Sequence, residues 1–261
     1  MKLLGVKVFS TNILTSADLV KASIEAAKNK IFDYVELFAV PDSYEETHQK
    51  LAELLQGVAV IVHAPHSSQG MDTGNKDAFE KNCRLLKSSQ QFADLLNAEI
   101  IILHAGANVG EQYLDETIRQ FRKINDSRLA VENLPAYCAA TNVALHGTSP
   151  EQVERIKTET GCKFCFDICH AVCAANSAKR DAWHDLESYQ NLKPDMYHLC
   201  DNTWDNTCDE HRHYGDGNYD LRKILKEIIS DNKPITMETG RGLPKDISPW
   251  LKDAAYLRSL I

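Results

Sequence analysis

At 261 residues, with 43% hydrophobic and 25% charged side chains, the chain has the composition of a globular protein with enough apolar residues for one sizeable core. This excludes a disordered or collagen-like chain, and no run approaches the roughly 20 apolar residues of a membrane span. A net charge of −8 argues against a broad basic face for nucleic acid, although ions held in a cleft add positive charge that the sum omits.

The opening MKLLGVKVF is interrupted by Lys7 and followed by no small-residue cleavage site, so it reads as a strand rather than a leader. The eight cysteines lie in or beside apolar runs, not at loop spacings of a disulfide framework, and a reducing cytoplasm is the expected location. No membrane association and no obligate protein partner are expected.

Eight short β-branched or apolar runs follow one another: Leu3 to Val8, Tyr34 to Phe38, Val58 to His63, Glu99 to His104, Leu129 to Glu132, Lys163 to Asp167, Met196 to Leu199 and Ile235 to Glu238. Stretches of helical periodicity separate them, such as Leu19, Ile24 and Ala27, or Leu51, Leu54 and Leu55. Thr148-Ser149-Pro150-Glu151 opens one helix and Gly161 closes it. Strands alternating with helices predict a parallel sheet covered by helices. With this length and no linker or composition shift, the expectation is an α/β fold, one (β/α)8 TIM barrel over residues 1–261.

Six runs in succession end in ionisable groups: VHAPH at His63, LHAG at His104, VEN at Glu132, FDICH at Asp167 and His170, HLCD at His198 and METG at Glu238. In a parallel barrel all strand C-termini open onto one face, so these groups converge there. Burying them uncompensated costs several kcal/mol apiece, whereas metal ions satisfy them together. Asp209 and His211 in DEHRHYGDGN, separated by one residue, can hold one ion from an extended segment. Histidine with carboxylate suits zinc, manganese or ferrous iron.

The sequence resembles the endonuclease IV family of metal-dependent apurinic/apyrimidinic endonucleases, within the xylose isomerase-like TIM barrel superfamily. In that family nine ligands hold three zinc ions, and the pattern is met here in order by His63, His104, Glu132, Asp167, His170, His198, Asp209, His211 and Glu238. The resemblance implies that His63 and His104 hold one ion, that Glu132 bridges it to a second held by Asp167, His198 and Glu238, and that His170, Asp209 and His211 hold the third. It implies metal-assisted hydrolysis of a phosphodiester, such as DNA at an abasic site, with Glu132 and Glu238 at the reacting centre and no side-chain nucleophile.

Several features of that family are altered. Lys7 in GVKVFS stands where a histidine is expected, VELFAVPDSYEE replaces an Asn/Arg-rich loop that enters DNA, and His66 stands where a tyrosine is expected. Glu132-Asn133-Leu134-Pro135 lacks the usual Thr-Ala-Gly continuation. The rival reading is a sugar isomerase or epimerase of the same superfamily, in which Glu132, Asp167, His198 and Glu238 hold one metal and the two glutamates move a proton beside a carbonyl. Glu36 in VELF and the segment Gly215 to Asp220 resemble that branch, whereas His63, His104, Asp209 and His211 exceed what a mononuclear site needs.

His66, Asp201, His213 and Arg241 are the candidates for contacting substrate, Asp201 alternatively for orienting His198. Trp204 and Tyr214 either stack on a base or sugar or pack their loop down. His48, His146 and His184 read as ordinary surface residues. Cys162, Cys165, Cys169 and Cys173 read as buried thiols rather than a CxxC metal site, and nothing in the spacing of Cys200 and Cys208 makes either a nucleophile.

Overall fold

The structure, a computed structural model, describes residues 2–138 and 142–261. Eight parallel strands close into a barrel: β1 (Leu3–Phe9), β2 (Tyr34–Phe38), β3 (Ala59–His63), β4 (Ile101–His104), β5 (Leu129–Glu132), β6 (Lys163–Asp167), β7 (Met196–Leu199) and β8 (Pro234–Met237). Each strand pairs with its neighbours in chain order, and β1 closes the ring against β8. The expected α/β barrel is therefore present, with β1 longer by one residue and β3, β4 and β8 shifted by one or two at their ends.

Strand pleating sends alternate side chains inward. The lower inward layer is apolar: Tyr34, Ile61, Ile102, Ala130, Cys165 and Met196 pack together as a small cluster inside the ring. Two residues further along, the same strands present Glu36, His63, His104, Glu132, Asp167 and His198, and β8 contributes Thr236 and then Glu238 just beyond its end. The lower layer thus forms the floor of a polar upper layer. Gly5 makes room for this floor, because the Tyr34 ring lies where a β-carbon at Gly5 would be, and the Tyr34 hydroxyl meets Thr236 Oγ1 at 2.7 Å.

The outward strand residues, among them Val6, Leu37, Val62, Leu103, Val131, Phe166 and Leu199, join a second, larger core with Val20, Ile24, Leu51, Leu86, Phe92, Ile118 and Ile156 of the surrounding helices. The helix boundary read from Ser149 and Gly161 holds. Ser149 accepts from the Gln152 amide, Pro150 takes the first turn, and Gly161 ends the helix at φ 71°. No helix among the described residues is long and apolar enough to cross a membrane.

Two features depart from the expectations. The short strands Gly106–Ala107, Tyr137–Cys138 and Val143–His146 form a small antiparallel sheet beside the barrel. His146, expected at the surface, is 1% exposed in that sheet; its Nε2 meets Thr117 Oγ1 at 2.7 Å and its Nδ1 lies 2.9 Å from the Asn108 carbonyl.

Candidate metal centre

The upper layer brings the ligand candidates of β3 to β8 within one cluster, at the C-terminal face where barrel enzymes carry their chemistry. Glu132 is its hub. Its Oε2 lies 3.3 Å from His63 Nε2 and 3.2 Å from His104 Nε2, while its Oε1 lies 3.3 Å from both His198 Nδ1 and His170 Nδ1. His198 Nδ1 is also 3.3 Å from Glu238 Oε1 and 3.9 Å from Asp167 Oδ2. Asp167 divides its oxygens: Oδ1 caps the helix Ile168–Ser177 through the His170 amide at 2.6 Å, and Oδ2 faces the cluster. Asn133 holds the end of β6 in place with a pair of 2.8 Å bonds to the Asp167 backbone.

The loop after β7 supplies the outer part. Asp209 Oδ2 lies 2.7 Å from His211 Nε2 and 3.5 Å from His170 Nε2. His211 adopts a left-handed backbone, φ 48°, which a non-glycine residue holds only when its surroundings fix it. Here the Asp209 carboxylate accepts from the His211 amide at 3.1 Å, and the Glu238 carbonyl lies 2.8 Å from His211 Nδ1.

Four of the imidazoles have one nitrogen held by a partner that is not a candidate ligand group, His170 through Nδ1 and the Asn133 carbonyl at 3.0 Å. His63 Nδ1 donates to the Ala64 carbonyl at 2.7 Å, His198 Nε2 to Glu36 at 2.9 Å, and His211 Nδ1 to the Glu238 carbonyl. The neighbouring carboxylates favour the protonated rings of His198 and His211, which on giving up a proton from the opposite nitrogen could offer its lone pair to a cation, the orientation that metal-binding histidines take from their outer partners.

Charge decides whether this set fits a cation. Glu132, Asp167, Asp209 and Glu238 are all buried or nearly so, with Glu36 behind them. Burial alone would raise Glu238, but His198 and Lys7 hold it down at about 2. Asp167 goes the other way, pushed well up by burial and by repulsion from Glu238, Asp209 and Glu132. Glu132 Oε2 has no aligned hydrogen-bond donor despite the two ring nitrogens beside it. Crowded carboxylates that cannot all ionise, and a buried oxygen between two imidazole nitrogens, are the environment that a divalent cation satisfies. The triplets His63–His104–Glu132 and Glu132–Asp167–His170 each bring one donor atom per residue within 4.8 Å of one another.

Sequence reasoning missed how Lys7 and Glu36 work together. Lys7 Nζ lies 2.5 Å from Glu238 Oε1 and 3.1 Å from Glu36 Oε1, placing a fixed ammonium at the edge of the ligand set. The signal was present as Lys7 and Glu36 at inward positions, but their partnership with Glu238 appears only when the barrel closes.

The candidates for contacting substrate separate. His66 stacks on His104, ring centroids 5.1 Å apart and planes 16° apart, beside the cluster. Burial, then the neighbouring His104, His63 and Lys7, depress it to about 2, so at neutral pH it is an uncharged imidazole. His213 is half exposed, its Nδ1 2.7 Å from Asp253. Arg241 is exposed and donates to the carbonyls of Asp209 and Glu210 at 3.2 Å, which braces the ligand-bearing loop. Asp201 is not directed at His198: both its oxygens accept amides of Asn202, Gly215, Gly217 and Tyr219 and so tie down the loop. Tyr214 is buried and donates to the Leu199 carbonyl, and Trp204 packs on Tyr219 and Trp183, so both pack this loop down.

A closed parallel barrel with a His/Asp/Glu cluster at its strand C-termini defines the class as a TIM barrel whose upper layer groups residues that could hold a cation. Residues 24–260 match the family described as xylose isomerase-like TIM barrel, and the chain belongs to that family. It is 25% identical to the probable endonuclease 4 of Mycobacterium leprae over 98% of each chain. It is also 25% identical to the probable endonuclease 4 of Mycobacterium ulcerans, covering 76% of this chain and 77% of that protein. Among solved structures it superposes on a D-tagatose 3-epimerase-like protein with TM-score 0.73, 22% identity and coverage of 98% and 96%. Endonuclease IV from Thermus thermophilus superposes with TM-score 0.70, 21% identity and coverage of 98% and 99%. At these identities the structures speak for the fold alone.

Proposed function

We propose that this protein is a metal-dependent phosphodiester hydrolase that works with three ions, zinc first among the candidates, with manganese and ferrous iron as alternatives, and that DNA carrying an abasic site is the first substrate to test. The observation that carries this reading is the breadth of the ligand set. His63 and His104 add donors on one side of Glu132, and His170, Asp209 and His211 add donors on the other, beyond what one ion uses. The similarity to proteins named probable endonuclease 4 supports it.

In this reading His63, His104 and Glu132 hold one ion, Glu132, Asp167, His198 and Glu238 a second, and His170, Asp209 and His211 the third. Ions so held would supply Lewis acidity at a phosphoryl group and a nucleophile at neutral pH. The chain's own residues do the rest. Glu36 fixes the tautomer of His198, Lys7 draws Glu238 to one position, and neutral His66 offers a ring nitrogen beside His104 for a substrate oxygen. The short turn after β2, where Ser43 Oγ meets Ser10 Oγ at 2.6 Å and the helix Tyr44–Leu55 follows directly, leaves no long loop on that side to enter a duplex. A substrate with an accessible or single-stranded phosphodiester suits that geometry better than a tightly gripped helix.

The second reading, a mononuclear sugar isomerase or epimerase, is favoured by the convergence of Glu132, Glu238 and Asp167 on His198 Nδ1. Metal content and His104→Ala separate the two. Three or more equivalents per chain, falling by one in H104A together with loss of cleavage of an abasic-site duplex, is the hydrolase outcome. One equivalent, unchanged in H104A, overturns it in favour of the isomerase.

A further inference from the structure

Around Asp209 Oδ1, which also accepts from the His211 amide, lies a nest of thiols that the hydrolase reading does not use. Asp209 Oδ1 is 3.1 Å from Cys169 Sγ and 3.6 Å from Cys200 Sγ. The two sulfurs and a carboxylate oxygen of Asp209 all lie within 4.8 Å of one another. Cys169, Cys173 and Cys200 are buried, at 0%, 0% and 2% exposure. Asn202 Nδ2 donates to the Cys208 carbonyl at 3.0 Å and lies 3.1 Å from Cys169 Sγ and 3.4 Å from Cys173 Sγ, and the Tyr219 hydroxyl is 3.7 Å from Cys169 Sγ.

Cys169 sulfur thus receives an amide and a hydroxyl donor, as an acceptor does, while facing the acceptor-only oxygen of a buried carboxylate. A thiol proton is a weak bridge between two such groups. A soft divalent cation meets sulfur and carboxylate oxygen together, and thiolates select such ions over harder ones. We propose that Cys169, Cys200 and Asp209 form a separate, sulfur-rich site for a thiophilic divalent cation of the zinc or cadmium kind, with Cys173 the neighbouring sulfur available as a further donor. Each cysteine would enter as a thiolate. Asp209 is the common wall: Oδ1 serves this site and Oδ2 serves the histidine cluster. The site stands on its own geometry and does not require that the cluster hydrolyse phosphodiesters.

The probe is Cd2+. Reduced, chelated full-length protein is titrated with it, and the ultraviolet sulfur-to-cadmium charge-transfer absorption is followed. The expected result is a band in the wild type, half as high in Cys200→Ser and lost in Cys169→Ser/Cys200→Ser, whose bound metal falls by at least one equivalent. His211→Ala, which alters only the nitrogen and oxygen donors of the neighbouring cluster, is expected to keep the full band, so failure of the hydrolase reading and failure of this site are read separately. No band in the folded wild type, measured before any substitution is made, overturns the proposal. So does a band of unchanged height in folded C169S/C200S, which would move the sulfur ligation to Cys165 or the exposed Cys208.

Discussion

Replacing Glu36 by glutamine keeps the shape beneath His198 and removes its charge. Glu36 is fully buried, with Oε2 2.9 Å from His198 Nε2 and 2.6 Å from Thr236 Oγ1, and Oε1 3.1 Å from Lys7 Nζ. Burial alone would raise this carboxyl, but His198 and Lys7 hold it far below the ordinary carboxylate range, so it is ionised at any working pH. In Glu36→Gln the amide oxygen still accepts from His198 and Thr236, but its NH2 group now meets the Lys7 ammonium. Two donors cannot bond each other, so Lys7 turns wholly to Glu238, its remaining partner, and draws that oxygen away from His198. Loss of a carboxylate that orients a metal-binding histidine typically weakens the metal about 10–100-fold, which is about 1.4–2.7 kcal/mol at 1.36 kcal/mol per tenfold. The assay is equilibrium competition with a chelator at fixed pH, read as the affinity of the tightest ion per chain. An affinity unchanged within about threefold in E36Q would refute the reasoning that Glu36 orients His198 for a metal.

Three further outcomes follow from the same geometry. Gly5→Ala drives a methyl group into the Tyr34 ring, which packing inside the barrel and Thr236 hold in place, and is expected to destabilise by about 1–3 kcal/mol in denaturant unfolding. Asp201→Ala strips four loop amides of a buried acceptor and is expected to cost about 3 kcal/mol or more and to weaken metal binding at Asp209 and His211, while Asp201→Asn recovers part of it. His146 is held below the ordinary imidazole value, by burial first. The unfolded chain therefore takes up this proton before the folded one as pH falls, so stability is lost below about pH 6.5. The melting temperature of His146→Gln should depend less steeply on pH between about 5 and 7; an equal slope would remove His146 as the cause.

Much of this architecture was legible in the chain because barrel strands are short and their pleat is strict. β2, β5, β6 and β7 have the bounds that their β-branched runs predict, and the residues that end β5 and β6 are ones that meet in the cluster. Asp167 and His170 were readable as a strand running into a helix, and Asp167 both caps that helix and faces the centre. What was not legible depends on ring closure. Lys7 and Glu238 lie 231 positions apart, and no local pattern pairs them. Asp201 reads like a ligand neighbour because it follows HLC, yet the fold of the glycine-bearing loop after it turns its oxygens outward to backbone amides. His146 resembled a surface residue because it ends a four-residue strand of a satellite sheet whose partner, Gly106–Ala107, is too short to show periodicity.

The two-residue step between the apolar floor and the polar layer has a consequence for how this molecule tolerates change. Every donor of the strands is addressed by parity: slip β6 by one residue and Phe166 replaces Asp167 in the interior, so a phenyl ring stands where a carboxylate was and the charge points into the apolar shell. A deletion in a strand is therefore an all-or-nothing error, whereas a loop that carries no member of the cluster can lengthen or change while the strand donors keep their places. Variation in what this barrel recognises is channelled into its rim, and the strand-borne members of the cluster are locked by arithmetic.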